Sequence, residues 1–336
     1  MFTELMNILI TGACGYIGSH FTNLISKSGK HNLFAIDNLS TGFRNAIPGS
    51  VELLCDNLEN TKNIDTFIRD NNIDTIFHFA GKIIVSESIK KPYLYYKSNT
   101  INTCNLANIA SKSKVKFFIF SSTAAVYAQP PDNRAIDEDC PTQPLSPYGA
   151  SKLMSERIIS DIFAGTETKY ANLRYFNVAG AALDNSNGQR SPNSTHLIKM
   201  CCKAVLNDNF TLSIFGNNYN TKDGTGIRDY IHIEDLTEAH LQVLKYLKNG
   251  GNSQVFNIGY GRGYSVFDVI KSIEKVAGKK LKYQIKDKRP GDAAAIVSSN
   301  KKIISMTSWR PKFDNLDIIT KTTLDWELKI KASNEK

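Results

Sequence analysis

Apolar residues in the first half of the chain fall into short runs separated by stretches with helical spacing. Residues 33–37, 51–55, 75–80 and 116–120 read as strands, as does Asn7–Thr11. Tyr16–Ser28, closed by Gly29, and residues 63–71 read as helices between them. Strands alternating with helices predict an α/β fold built on a doubly wound parallel sheet. Ligands of such sheets collect at the carboxyl ends of the strands. Asp37 and Asp56 fall at two such ends. Past Phe176 the pattern breaks. Residues 180–195 and 217–226 are polar and read as loops, while Ile233–Lys248 and Val266–Ala277 read as helices. Regular alternation does not return, so the second half reads as a smaller mixed α/β lobe for substrate. Only residues 332–336 read as a frayed tail.

At 336 residues the chain can bury a full core, in one large domain or two intimate ones. Its apolar runs are too short to span a bilayer, and its first ten residues lack a basic segment and a cleavage pattern. We therefore expect no membrane span and no secretion signal. Six cysteines, at 14, 55, 104, 140, 201 and 202, form no C-x-x-C and suit reduced thiols in a cytoplasmic protein. The histidines do not fall at ligand spacing, so no metal is expected. The net charge of +9 is spread along the chain without a basic block interleaved with aromatics. That fits a solvated surface or an anionic small substrate better than nucleic acid.

The first strand and helix are joined by Thr11-Gly12-Ala-Cys-Gly15-Tyr16-Ile17-Gly18. Gly12 and Gly15 permit a tight turn and close backbone approach, and Gly18 lets helix and sheet pack closely. The helix start behind them suits a pyrophosphate. An ordinary βα turn can carry the same glycines, but Asp37 follows about 20 residues on. A carboxylate there accepts hydrogen bonds from an adenosine ribose and repels a 2′-phosphate. The pair predicts a dinucleotide site, with NAD preferred over NADP. Asp56, followed by Asn57, is set to meet the adenine or else to cap a helix.

Tyr148 and Lys152 are four residues apart, the spacing that puts two side chains on one helix face. A free phenol, with a pKa near 10, is a poor base at neutral pH. A neighbouring ammonium stabilises the phenolate, and so does a positively charged nicotinamide. The pair thus predicts proton chemistry beside the cofactor. Ser121-Ser122-Thr123 follows an apolar strand, where a hydroxyl can bridge a substrate hydroxyl to a base.

Several motifs resemble the extended short-chain dehydrogenase/reductases. They are the glycine turn, His78-Phe79-Ala80-Gly, Phe120-Ser-Ser-Thr123-Ala-Ala-Val-Tyr127, Pro-Tyr148-Gly-x-Ser-Lys152 and Arg174-Tyr175-Phe-Asn177. Three more resemble the UDP-glucose (UDP-galactose) 4-epimerase family: Asp37-Asn38-Leu-Ser40, Gly224-Thr-Gly-Ile-Arg228-Asp-Tyr230-Ile-His232 and Arg289-Pro-Gly-Asp292. The resemblance runs from about residue 7 to 328, in order. It implies an NAD-binding Rossmann domain over 1–178, with a return segment near 230–260, and a nucleotide-sugar lobe over 179–330. It also implies roles. Gly12, Gly15, Tyr16, Ile17, Gly18, Asp37, Asn38, Ser40, Asp56, Asn57, Phe79, Ala80, Asn99, Tyr148, Lys152 and Tyr175 would contact NAD. Thr123 would join Tyr148 and Lys152 in catalysis. Asn177, Leu197, Phe215, Arg228, Tyr230, Arg289 and Asp292 would contact the nucleotide sugar. Those assignments make chemical sense, since two arginines can grip a pyrophosphate and Phe215 can pack on a uracil. Arg228 beside Asp229 can equally form an ion pair, and Phe215 can belong to the core.

The implied activity is reversible 4-epimerisation of UDP-hexoses through a transient 4-keto sugar, with NAD as a resident hydride carrier. A nucleotide-sugar 4,6-dehydratase would carry an acid/base pair after Thr123, where this chain has Ala124-Ala125. An epimerase of UDP-uronic acids or UDP-pentoses fits the same motifs. A non-catalytic NAD-binding scaffold does not explain an intact Thr123, Tyr148 and Lys152. Relatives are commonly homodimers joined through a four-helix bundle, here 99–112 and 152–163. Two departures stand out. A lysine that many relatives place near the cofactor is shifted by one, to Lys82. Ile296 stands where a tyrosine restricts relatives to glucose and galactose, so N-acetylated hexoses are expected to enter as well.

Overall fold

The computed structural model describes residues 5–128, 134–191, 194–289 and 292–334. Pro290 and Gly291 of the Arg-Pro-Gly-Asp motif, Pro192 and Asn193 of the 180–195 loop, and the last two residues of the expected tail lie outside them.

The strands in chain order are β1 (Asn7–Thr11), β2 (Asn32–Ile36), β3 (Glu52–Leu54), β4 (Thr75–His78), β5 (Phe117–Thr123), β6 (Lys169–Tyr175), β7 (Asn177–Ala179), β8 (Leu212–Phe215), β9 (Ile227–His232), β10 (Gln254–Ile258), β11 (Gly263–Ser265), β12 (Tyr283–Lys286) and β13 (Ala295–Ile296). The helices are α1 (Tyr16–Ser28), α2 (Thr61–Asp70), α3 (Val85–Lys90), α4 (Pro92–Tyr95), α5 (Asn102–Lys112), α6 (Pro147–Phe163), α7 (Leu197–Leu206), α8 (Ile233–Lys248), α9 (Val266–Ala277), α10 (Lys301–Met306) and α11 (Leu316–Asn334).

Seven strands form one parallel sheet in the order β10-β6-β5-β4-β1-β2-β3. Alternate residues face opposite layers, as strand geometry requires. Ile8 and Ile10 pack into one core with Phe21, Leu236 and Val243 from α1 and α8. Leu9 packs into the other with Ile64, Leu106 and Ile159 from α2, α5 and α6. The strand order reverses between β1 and β4, and that switch point opens the crevice where ligands of such sheets bind.

Alternation returns once, although periodicity did not mark it. α8 carries the chain back to β10, which extends the sheet beside β6. β9 was hard to foresee as a partner of distant strands: its first half takes β11 and β13, and its second half takes β7. β8 and β12 form a separate pair. The expected tail is also corrected, since α11 runs on through Asn334. The stretch 99–112 is not one α-helix: Tyr96–Ile101 is π-helical and leads into α5. The second strand ends at Ile36, so Asp37 lies just past it. No helix among the described residues is long and apolar enough to cross a membrane.

Candidate active site

The glycine turn brings α1 hard against β1. A Cβ on Gly18 would lie 2.1 Å from the Gly12 carbonyl oxygen, so no larger residue fits there. α1 begins without a side-chain cap and has no acidic residue in its first turn. Its first amides are therefore available to an anion. Asp37 is buried beside them, accepting from the backbone N–H groups of Cys14 at 2.9 Å and Leu39 at 2.8 Å. Asn38 and Ser40 are exposed just beyond, with the Ser40 amide donating to Asn38 Oδ1. Phe79 and Ala80 follow β4 on the other side of the switch point, and Ala80 closes on Gly12. An uncapped helix start, a fixed carboxylate and a glycine cradle fit NAD.

Some expected cofactor contacts have other partners here. The Tyr16 hydroxyl donates to the Gly180 carbonyl at 2.6 Å, which ties α1 to the second half of the chain. Ile17 packs against the core. Asp56 takes hydrogen bonds from the Asn60 and Asn63 side chains and the Asn57 amide just ahead of α2, but it does not cap that helix, whose N-cap is Asn60 without a side-chain cap bond. Those bonds, Asn63's first, hold its carboxyl below the usual range.

The reactive end lies at the carboxyl ends of β5 and β6. Ser146 caps α6 by accepting from the Gly149 amide, and Pro147 occupies the first turn. A Cβ on Gly149 would lie 2.2 Å from the Ala125 carbonyl, so α6 starts in contact with the turn that follows Thr123. This contact brings Tyr148 to Thr123. Burial raises the Tyr148 phenol above its usual pKa, and hydrogen bonding to Thr123 pulls it back. Thr123 also accepts from the Ala125 amide at 3.1 Å. The Tyr95 ring meets Tyr148 edge-on at 6.4 Å.

One turn along α6, Lys152 is buried, with Nζ donating to the Ser121 carbonyl at 2.7 Å and lying over the Phe120 ring. Burial lowers its ammonium to about 7, and the Glu156 carboxylate opposes that fall. Tyr175 pairs across the sheet with Thr123 and its hydroxyl bonds Ser121 Oγ. Asn99 is buried in the π-helical turn. Its side chain clamps both backbone groups of Lys82 at 2.8 and 3.0 Å and donates to Ser151 Oγ. The shifted lysine thus offers its main chain to Asn99. Asn99 and Lys152 both lie beside Gly81.

The remaining predicted residues surround β9. Arg228 pairs with Asp292 at 2.6 Å, both from the expected nucleotide set. Asp229, the partner considered from sequence, is turned inward. It accepts from the amides of Tyr260, Gly261 and Ser298 and from the Ser298 hydroxyl. The Arg289 guanidinium stacks on the Phe215 ring at 3.7 Å. Asn177 is exposed on β7, opposite Tyr230, which is buried in the core. Leu197 opens α7 and is half-buried. Ile296 pairs with Arg228 across β13 and β9, and packs beside Ala124, Val126 and Phe176. It therefore stands between the Thr123 turn and the Arg228 strand.

Sequence reasoning passed over Glu156. A third functional-type residue at the 148, 152, 156 spacing was the available signal.

Residues 8–259 match the model of the NAD dependent epimerase/dehydratase family. The chain belongs to that family. Within it, the chain is 43% identical to a UDP-glucose 4-epimerase of Azospirillum brasilense over 97% of this chain and 93% of that one. It is similar to the solved UDP-Glc/GlcNAc 4-epimerase of the human pathogen Campylobacter jejuni, with 42% identity, TM-score 0.84, and 96% and 99% of the two chains covered. A UDP-glucose 4-epimerase of Bifidobacterium longum, solved with NAD+ and UDP, has 33% identity and TM-score 0.89 over 96% of this chain and 98% of that one. The chain is an NAD-dependent enzyme of the UDP-glucose 4-epimerase type.

Proposed function

We propose that this enzyme inverts C4 of UDP-hexoses with Tyr148 as the base. The observation that carries the reading is the Tyr148 phenol hydrogen-bonded to Thr123 at the mouth of the sheet, with the Lys152 cation anchored behind it. Tyr148 removes the O4 proton, directly or through Thr123, and later returns it. NAD supplies a reversible hydride acceptor when bound. Asn99, Tyr175, Asp37 and the glycine turn would hold and orient it. Arg228 and Arg289 neutralise the pyrophosphate, while Asn177, Leu197, Phe215, Tyr230 and Asp292 complete the nucleotide side. The 4-keto sugar turns over while the UDP end stays fixed. Such a mechanism needs a firmly held nucleotide and a loosely held hexose.

Ile296 extends the reading to N-acetylated sugars, because a branched aliphatic side chain leaves more room beside Thr123 than a tyrosine ring. The similarity to an enzyme described as acting on UDP-Glc and UDP-GlcNAc supports it. We further read the protein as a cytoplasmic homodimer joined through the 99–112 and 152–163 segments. Ile101 and Met154 are each 48% exposed there. The deciding experiment gives purified protein UDP-galactose and UDP-N-acetylglucosamine without added NAD. Conversion of UDP-galactose to UDP-glucose is expected; its failure in NAD-loaded protein overturns the reading.

A further inference from the structure

Behind the reactive end lies a buried ion pair that the reaction as proposed does not use. Glu156 follows Lys152 by one turn of α6 and is 5% exposed; Arg174, on β6, is 6% exposed. Arg174 Nη2 donates to Glu156 Oε2 at 2.6 Å, and Nε donates to Oε1 at 2.9 Å. This is a fork on a carboxylate, the strong geometry for such pairs. Ser122 Oγ donates to the same carboxylate. On the far side Arg174 Nη1 donates to the Tyr127 hydroxyl, which donates to Asn257 on β10, both at 2.8 Å.

Buried ion pairs are weak sources of stability, since apolar residues of equal volume often do as well. The location of this one gives it a different use. Ser122 sits between Ser121, whose carbonyl anchors Lys152, and Thr123, the neighbour of Tyr148. We propose that Glu156, clamped by Arg174, is a positioning residue that fixes the 121–123 segment beneath Tyr148 and places a negative charge one helix turn from the Lys152 ammonium. This inference rests on the roles given to Tyr148 and Lys152 above.

Among the described residues, few groups face Lys152. Tyr148 and Glu156 come from its own helix, and the Ser121 carbonyl and Phe120 ring from β5. His78 comes from β4 and Asn99 from the π-helical turn. His78 is neutral at physiological pH: burial, and then the Lys152 charge, lower its pKa to about 3. Glu156 is the anion of the set, and it opposes the fall of the Lys152 pKa that burial causes. Arg174 in turn occupies both oxygens of the Glu156 carboxylate.

The test follows Lys152 itself in the NAD-loaded enzyme, by the pH titration of its 13Cε resonance, assigned from its loss in Lys152→Arg. Glu156→Gln keeps an acceptor for Ser122 and removes the charge. The Lys152 midpoint is expected to fall by about one pH unit. The alkaline limb of kcat for UDP-galactose should move down with it, while KM changes by less than about twofold. Where the lone Arg174 charge prevents folding, Glu156→Gln combined with Arg174→Met removes both members of the pair and should still lower the midpoint, by less than the single variant, because the lost Arg174 charge lay beyond Glu156. A folded, NAD-loaded double variant in which Lys152 titrates as in the wild type overturns the proposal. If the midpoint falls but the wild type does not epimerise UDP-galactose, the proposed reaction fails and the charge coupling stands.

Discussion

The Lys152 ammonium donates to the carbonyl oxygen of Ser121 at 2.7 Å, two residues before Thr123 on the same strand. The cation is thus anchored to β5, while the Tyr148 phenol has its hydrogen bond with Thr123. Phenol and cation are thus held two residues apart at one strand end and meet through their field.

Tyr148→Phe is expected to keep fold and bound NAD and to lose turnover by about 10²- to 10⁴-fold, the usual share of a general base. Absorbance for NAD content and a coupled assay for turnover check it together. Retained activity sinks the assignment.

Lys152→Ala should shift the pH dependence in a defined direction. In the proposed reaction Tyr148 works ionised, and burial already raises its pKa. Removing a nearby cation raises it further, so the rising limb of kcat moves to higher pH, by about 1 to 3 units. Thr123→Ala moves the limb the same way, because the Thr123 hydrogen bond is what lowers the phenol's pKa. An unmoved limb in both variants excludes Tyr148 as the titrating base.

On the nucleotide side, Arg228→Ala and Arg289→Ala should each weaken UDP binding by about ten- to a hundredfold, the value of one charge-assisted hydrogen bond of about 1.5–3 kcal/mol. Calorimetry with UDP measures this without catalysis. Unchanged affinity in either variant removes that arginine from the pyrophosphate site. It would leave Arg228 as the ion-pair partner of Asp292, or Arg289 as a lid on the Phe215 ring.

Asp229→Ala tests a structural role. The amides of Tyr260 and Ser298 and the Ser298 hydroxyl lose their acceptor in a fully buried site, while the Gly261 amide keeps Ser298 Oγ at 3.2 Å. At about 1–3 kcal/mol for each unsatisfied group, the loss should reach at least about 3 kcal/mol. Urea unfolding of the NAD-loaded protein should show it as a lower midpoint; an unchanged midpoint would mean that water replaces the carboxylate.

The parallel sheet was legible because β1 and β4 are short runs buried on both faces, as β2 is at its Ala35-Ile36 end, and such strands carry their own signal. α1, α8 and α9 were legible from periodicity and from their ends: Gly29 and Gly278 close the first and last of these in the left-handed conformation, and a capping box opens α9. The second half was obscure for a physical reason. β7, β11 and β13 are two or three residues long and exist only because β9 collects them, so no local pattern marks them. The same holds in the site. Tyr148 and Lys152 share a helix and could be read from spacing, whereas the Arg228–Asp292 and Arg289–Phe215 contacts join residues 64 and 74 positions apart.

Ile296 decides the last prediction. It lies half-buried on β13, beside Arg228 in register and against Ala124 and Phe176 in packing. A side chain at this point can reach the space between the Thr123 turn and the nucleotide strand, where the hexose C2 substituent would lie in the proposed reaction. An isoleucine leaves room there and offers no hydroxyl. The wild type is therefore expected to interconvert UDP-N-acetylglucosamine and UDP-N-acetylgalactosamine as well as UDP-glucose and UDP-galactose. Ile296→Tyr adds a ring that clashes only with the bulkier sugar, so it should abolish the N-acetyl activity and hold UDP-galactose turnover within a few-fold. Product ratios from both substrates, with each variant, measure the gate. If the wild type converts UDP-galactose but forms no N-acetyl product at high enzyme concentration, Ile296 is only a packing residue of the Ala124–Phe176 cluster, and other side chains close the pocket.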